Sequence, residues 1–189
     1  MNMFYLSESP QLCAQWSVDS HCVKMILESA QLLSTAHRIL DGTPYIEEKT
    51  LANGRKRNVQ RWRLPDQREG ILYSATHVNH PCAIWCRQSA ANYAWLWSLM
   101  TEYCIEYTGR YGKVHKIASD GLLDELDVVP YNIPGDVGFT KPPSAMDPKY
   151  IISDDPILNY RNYYKYGKAH LHKWKKRQPP EWILDYLGD

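Results

Sequence analysis

From Asp19 to Leu40 apolar side chains recur so densely that one kind of element dominates what the chain can form. Wound at about 3.6 residues per turn, Val23, Met25, Ile26, Leu27, Ala30, Leu32, Leu33, Ala36 and Ile39 cover most of a helix's circumference. A helix that is apolar nearly all round has to lie inside a domain, with other elements wrapped about it. Asp19 is placed to cap it and Asp41-Gly42 to end it. A second long, mostly apolar helix is expected to open at Asn79-His80-Pro81. It should run through Trp85, Ala90, Tyr93, Trp95, Leu96, Leu99, Met100 and Cys104 to near Gly109. The chain has 189 residues, the usual size of one domain, so residues 1–189 are expected to form a single compact all-α domain with little or no sheet.

The remaining segments punctuate that core. Ser9-Pro10 predicts a brief helix to about Trp16. Residues 43–68 are polar and basic without sustained periodicity, and read as a long loop or hairpin-like insertion. Short helices broken at Asp120-Gly121 are expected over 112–127, then a Pro/Gly-rich crossing loop over 128–150. Asp154-Asp155-Pro156 predicts the cap of a last long helix. Lys173, Lys175, Lys176 and Arg177 would stand at its negative end, and Pro179-Pro180 would stop it.

No stretch approaches the roughly 18 apolar residues of a membrane helix, and Met1-Asn-Met-Phe-Tyr-Leu lacks the basic region and apolar block of a signal peptide. The five cysteines, Cys13, Cys22, Cys82, Cys86 and Cys104, are odd in number and sit among apolar residues, so reduced, buried thiols are expected. Together these point to a cytoplasmic monomer away from membranes. The formal charge is only +1, so attraction for nucleic acid has to come from local clusters rather than from an overall field.

Two clusters meet that requirement. Arg55-Lys56-Arg57 with Arg61, Arg63 and Arg68 around Trp62 places many cations against few acids, and such a segment can follow a phosphate backbone while a ring stacks. Along the last helix, Arg161, Tyr163, Tyr164, Lys165, Tyr166 and Lys168 interleave rings with cations, ahead of His170, His172 and Lys173-Trp-Lys-Lys-Arg177. Either run alone also fits a solvated face. Arg110 and Lys113, at the end of the second long helix, are grouped with these as candidate contacts to double-stranded DNA.

On the first long helix His21, Lys24, Glu28, Gln31, Thr35 and Arg38 fall within an arc of roughly 100°. That stripe is either a slot opening into a cleft or the thin solvated edge of a core helix. His21 and Glu28 lie about two turns, roughly 10 Å, apart, too far to touch but able to flank one ligand. The run His77-Val-Asn-His80-Pro-Cys82-Ala-Ile-Trp-Cys86 has poor metal-ligand spacing even with His21 and Cys22, so neither metal nor cofactor is expected. His77 and His80 line or cap a helix entry on one reading and are counted among the candidate contacts to DNA on the other.

Three segments of the chain resemble the phage pyrimidine-dimer DNA glycosylase and AP lyase family, the small helical enzymes called endonuclease V of the pyrimidine-dimer type. Asp19-Ser-His21 followed by Glu28 is similar to the family's D-x-H-x6-E, whose carboxylate is catalytic. Ala75-Thr-His77-Val78 is similar to its A-G-H-V, and Tyr163-Tyr-Lys-Tyr-Gly-Lys-Ala169 to its aromatic, lysine-containing lesion-binding stretch. The likeness covers about a quarter of a chain some fifty residues longer than those enzymes. It implies excision of a damaged or modified base from double-stranded DNA, in host cytoplasm if a phage encodes it. Glu28 would then be the catalytic carboxylate, and His21, Lys24 and Arg38 would position phosphate or the opened sugar. The family's nucleophile is the α-amine of a small residue exposed by removal of the initiator Met. Here the bulk of Asn2 disfavours removal, so Met1 itself would carry the amine. As a class α-amines titrate near 7.7 to 8.0, against about 10.4 for lysine, and are nucleophilic near neutral pH. Two further readings remain open: a non-catalytic nucleic-acid-binding or host-interaction protein, and an enzyme acting on the glycosidic bond of a nucleotide or RNA.

Overall fold

The computed structural model describes residues 1–135 and 137–187, with side chains described through residue 184. Helix α1 (Pro10–Trp16) begins where Ser9 accepts a bond from the Leu12 N–H and proline occupies the first turn. Helix α2 (Asp19–Asp41) is the buried rod expected: Met25, Ile26, Ala30, Leu32, Leu33 and Ala36 are all 1% exposed or less. It packs on α5 (Ala90–Tyr111), which in turn covers α1. The chain's first strand-like residues are also core, since Met3, Phe4, Tyr5 and Leu6 are buried. The amino terminus is therefore threaded into the helix layers instead of trailing from them.

Four expectations need correction or refinement. First, the basic insertion is an antiparallel hairpin, β1 (Thr43–Thr50) paired with β2 (Lys56–Arg63), so the fold is predominantly helical but not strictly all-α. It springs directly from α2 at Gly42, where a Cβ would sit 2.4 Å from the Arg38 carbonyl oxygen. Second, the helix expected from His80 to Gly109 is two helices, α4 (Pro81–Cys86) and α5. Ser89 separates them: its hydroxyl caps α5 by accepting from the Asn92 N–H and donates to the Gly138 carbonyl. Third, Asp19 begins α2 without capping it, and its carboxylate instead accepts from Arg110 and from the Lys175 N–H.

Fourth, the last long helix stops early. Helix α8 (Pro156–Asn162) widens into a π turn over Tyr163–Gly167 and one further 3-10 turn over Ala169–Leu171. The cause is Gly167: a Cβ there would meet the Tyr163 ring at 2.5 Å and that of Tyr150 at 2.8 Å, so the backbone runs against two rings where a side chain cannot fit. Beyond it Trp174 donates to the Trp16 carbonyl and Arg177 pairs with Glu106, which fastens the C-terminal segment across α1 and α5. The short helices α3 (Arg68–Ile71), α6 (Lys116–Ser119), α7 (Leu122–Glu125) and α9 (Glu181–Leu187) complete the set. The crossing loop 128–150 is irregular apart from a 3-10 turn at Pro148–Tyr150, with Asp136 outside the described residues. All five cysteines are free and buried. Among the described residues no helix is long and apolar enough to cross a membrane.

Candidate functional site

The threaded terminus ends at Glu28. The Met1 α-nitrogen lies 3.9 Å from Glu28 Oε2, and the Asn2 N–H donates to the same oxygen at 3.1 Å. Lys24, one turn earlier on α2, reaches Glu28 Oε1 at 2.9 Å. The carboxylate is thus held from three sides, with its side chain 13% exposed.

Asn2 does the anchoring. Its amide donates to the Ala145 carbonyl at 2.8 Å, and its Oδ1 accepts from the Met3 and Phe4 N–H groups. These bonds close a tight turn in which Phe4 takes φ 46°, a left-handed conformation unusual for a side chain of that size. From sequence Asn2 entered only as the residue that keeps Met1 in place. Its role as a clamp has no pattern a single sequence could show.

His21 forms the next wall. Its ring stacks on Phe4 with centroids 4.1 Å apart, and its Nδ1 lies 2.6 Å from the Tyr164 hydroxyl. The Val18 N–H donates to the same hydroxyl, whose proton can go to Nδ1 with the ring proton on Nε2, or which can accept from Nδ1–H. Burial, reinforced by the charges of Lys168, Lys24 and His170, pushes the His21 pKa down to about 3. His21 is accordingly neutral and does not change charge at working pH.

These groups surround a polar cavity of about 240 Å³ lined by Met1, Asn2, His21, Lys24, Glu28 and Lys168, with Tyr163 and Phe4 supplying its rings. Lys168 lies over the Tyr163 ring, its Nζ 4.9 Å from the centroid. The cavity therefore meets three cations, the α-amine, Lys24 and Lys168, with one carboxylate. On the other side of Lys24 and Glu28 a groove of about 980 Å³ opens between α2, α3 and α6, with Val23, Leu27, Ile71 and Ile117 on its apolar walls. Glu28 thus stands at the junction of a small charged chamber and a large apolar one.

The other expected site residues divide sharply. Arg38, on the stripe with Glu28, is not a ligand-facing cation: it is buried and donates to the Tyr73, Trp62, Glu69 and Leu72 carbonyls and to Glu69 Oε2. Arg110 is likewise buried, between Glu106, Asp19 and the carbonyls of Gln15 and Ser17. Tyr164 is a core residue that acts through His21, not a surface ring. Arg161 donates to the Leu6 carbonyl and lies between Trp16 and Trp182. These four hold the fold, and their N–H and O–H groups are turned inward.

His80 caps α4 by accepting from the Cys82 N–H. It stands near enough to the α-amine that this charge, after burial, helps depress its pKa. His77 is exposed at φ 48° and bonded to the Thr76 hydroxyl. Lys113, Arg55 and Arg57 are exposed, Arg61 pairs with Glu47, Lys165 is half-buried and Tyr166 is exposed. Among the described residues no group of three or more His, Cys, Asp or Glu is arranged to hold a metal. No family model, curated protein or solved structure matches the chain.

Proposed function

We propose that the protein is a DNA N-glycosylase that removes a damaged or modified base, of pyrimidine-dimer type, with AP lyase activity through the Met1 amine. One observation carries the reading: a primary amine and a largely enclosed carboxylate 3.9 Å apart in a polar cavity that Lys24 and Lys168 also line. That pairing suits nucleophilic attack at a sugar carbon better than simple binding.

The nucleotide is extruded from the duplex, which costs a few kcal/mol and less where damage has weakened stacking. As the bond between C1′ and the base breaks, the base leaves with the electron pair and positive charge develops on the sugar. Glu28 lies where that charge is stabilised. The α-nitrogen, having given its proton to Glu28 or solvent, bonds to C1′. Ring opening, with the Glu28 carboxyl returning its proton to O4′, then yields an imine, and the Glu28 carboxylate takes a C2′ proton as the 3′ phosphate leaves by β-elimination. His21 and Lys24 hold the sugar or its phosphate, and Lys168 balances the backbone charge.

The test is mass spectrometry of products from a panel of irradiated and chemically modified duplexes. Cleavage of the C1′–base bond with strand scission at the same nucleotide is the expected result, the cut base leaving free from a single-base lesion and staying joined to its neighbour in a pyrimidine dimer. Salt-sensitive DNA binding with no glycosidic bond cut in any member would instead support the plain binding protein, and consumption of a free nucleotide or RNA the third reading.

A further inference from the structure

The hairpin carries charge in a way the helical body does not. Residues 48–58 are exposed on both faces of the ribbon, and a two-stranded ribbon with neither face packed is marginal by itself. Cross-strand register puts Tyr45 opposite Arg61, Glu47 opposite Val59 and Lys49 opposite Arg57, all on one face. That face bears Lys49, Arg57, Arg61 and Arg63 against the single acid Glu47, which Arg61 occupies at 2.8 Å. Arg63 lies over the Tyr45 ring. On the opposite face Lys56 and Glu48 pair with each other.

Lys49 and Arg57 are therefore like charges placed directly opposite one another, an arrangement that destabilises a strand pair unless an anion lies between them. Among the described residues neither has an acidic partner, and Arg55 in the adjoining turn adds a third cation.

The hairpin's root is tied to the candidate site. Arg38, which donates to the Trp62 carbonyl at the base of β2, lies on the same stripe of α2 as Glu28. Ten residues separate them, about 15 Å along the helix axis. Eight-residue strands extend roughly 26 Å beyond that root. Lys49, six residues beyond Thr43, stands about 20 Å up β1, so it lies at most about 35 Å from Glu28, within reach of one turn of duplex, about 34 Å.

We propose that the Lys49/Arg57 face of the hairpin is a second contact to duplex DNA, holding the phosphate backbone about one turn from the nucleotide bound at Glu28. The proposal rests on the reading of that site as one acting on DNA. It assigns the hairpin to affinity and duplex length, apart from the chemistry.

The experiment compares the full-length protein with its Lys49→Ser/Arg57→Ser variant. Binding to undamaged duplexes of about 12 and about 30 base pairs is measured across a KCl series, with base release from a damaged short duplex alongside. Two lost phosphate contacts should lower the slope of log K against log salt by about 1.8, and the wild type's preference for the longer duplex should disappear. Base release from the short duplex should stay within twofold, and the melting temperature should not fall, because a repulsive pair has been removed. An unchanged slope with the length preference intact overturns the proposal. If the slope falls while neither protein releases any base, the hairpin contact stands and the glycosylase reading fails.

Discussion

The amino-terminal cavity and the β1–β2 hairpin are both rich in cations, but they hold them in opposite ways. At the cavity the carboxylate and its neighbours are fixed by the fold: Glu28 is held by Lys24, the α-amine and the Asn2 N–H, while Asn2 is fixed by Ala145 and His21 by Phe4 and Tyr164. At the outer hairpin two cations face each other in open solvent. Under the proposed function, groups that would meet a reacting atom to within an ångström are held by the fold, whereas groups that would only follow a polyanion are left outside it. The comparison separates chemistry from grip, and each half can be perturbed without the other.

The largest expected effect is at the cavity. Glu28→Gln keeps the shape and removes the charge, so base release should fall by about 10²- to 10⁴-fold. Duplex affinity should change less than about threefold, and steady-state release beside equilibrium binding checks both. Comparable loss of binding would merge the two regions into one.

Next comes a pair of arginines that look alike in the sequence. Arg38→Ala orphans several buried carbonyls and leaves the Glu69 carboxylate with only the Leu64 N–H, and should destabilise folding by about 3–5 kcal/mol in denaturant titration. Arg61→Ala, in a half-exposed pair on the hairpin, should change stability by less than about 1 kcal/mol. Equal effects would show that the hairpin root is as much part of the core as α2.

pH sharpens the contrast further. Burial pushes the pKa of His21 down to about 3 and that of His37 to about 4, with Arg68 adding to the His37 shift, against about 6.5 in an unfolded chain. Below pH 6.5 the unfolded chain binds protons that the folded one refuses. Stability is therefore fully present above that pH and falls as pH drops toward the folded values, by up to about 1.4 kcal/mol per unit for each histidine. Melting temperature between pH 4 and 8 reads this. A flat curve would mean that neither ring is sequestered.

Much of the interior was legible because apolar density alone dictates it. The α2 span, the α1 cap and the break at Asp120-Gly121 follow from local chemistry that a single sequence displays. The hairpin was less visible: over residues 48–58 both faces lie in solvent, so the strands there have no reason to alternate apolar with polar residues. The C-terminal helix was overestimated because its charge pattern continued past Gly167, while the obstacle lay in the Tyr163 and Tyr150 rings that fold against that glycine. At the site, the stripe from His21 to Glu28 was readable by periodicity, but Arg38 and Arg110 were not distinguishable from it. The carbonyls they serve come from Gln15, Ser17, Trp62 and 69–73, and no spacing rule links those positions.

The central claim is that the chain's own α-nitrogen, beside Glu28, is the nucleophile. Borohydride reduction of the protein with duplex DNA bearing an abasic site, followed by peptide mapping, tests it most directly. One covalent linkage is expected, on the Met1 α-nitrogen, lost when the amino terminus is acetylated. A linkage on Lys24 or Lys168, or base release with no linkage anywhere, would contradict it.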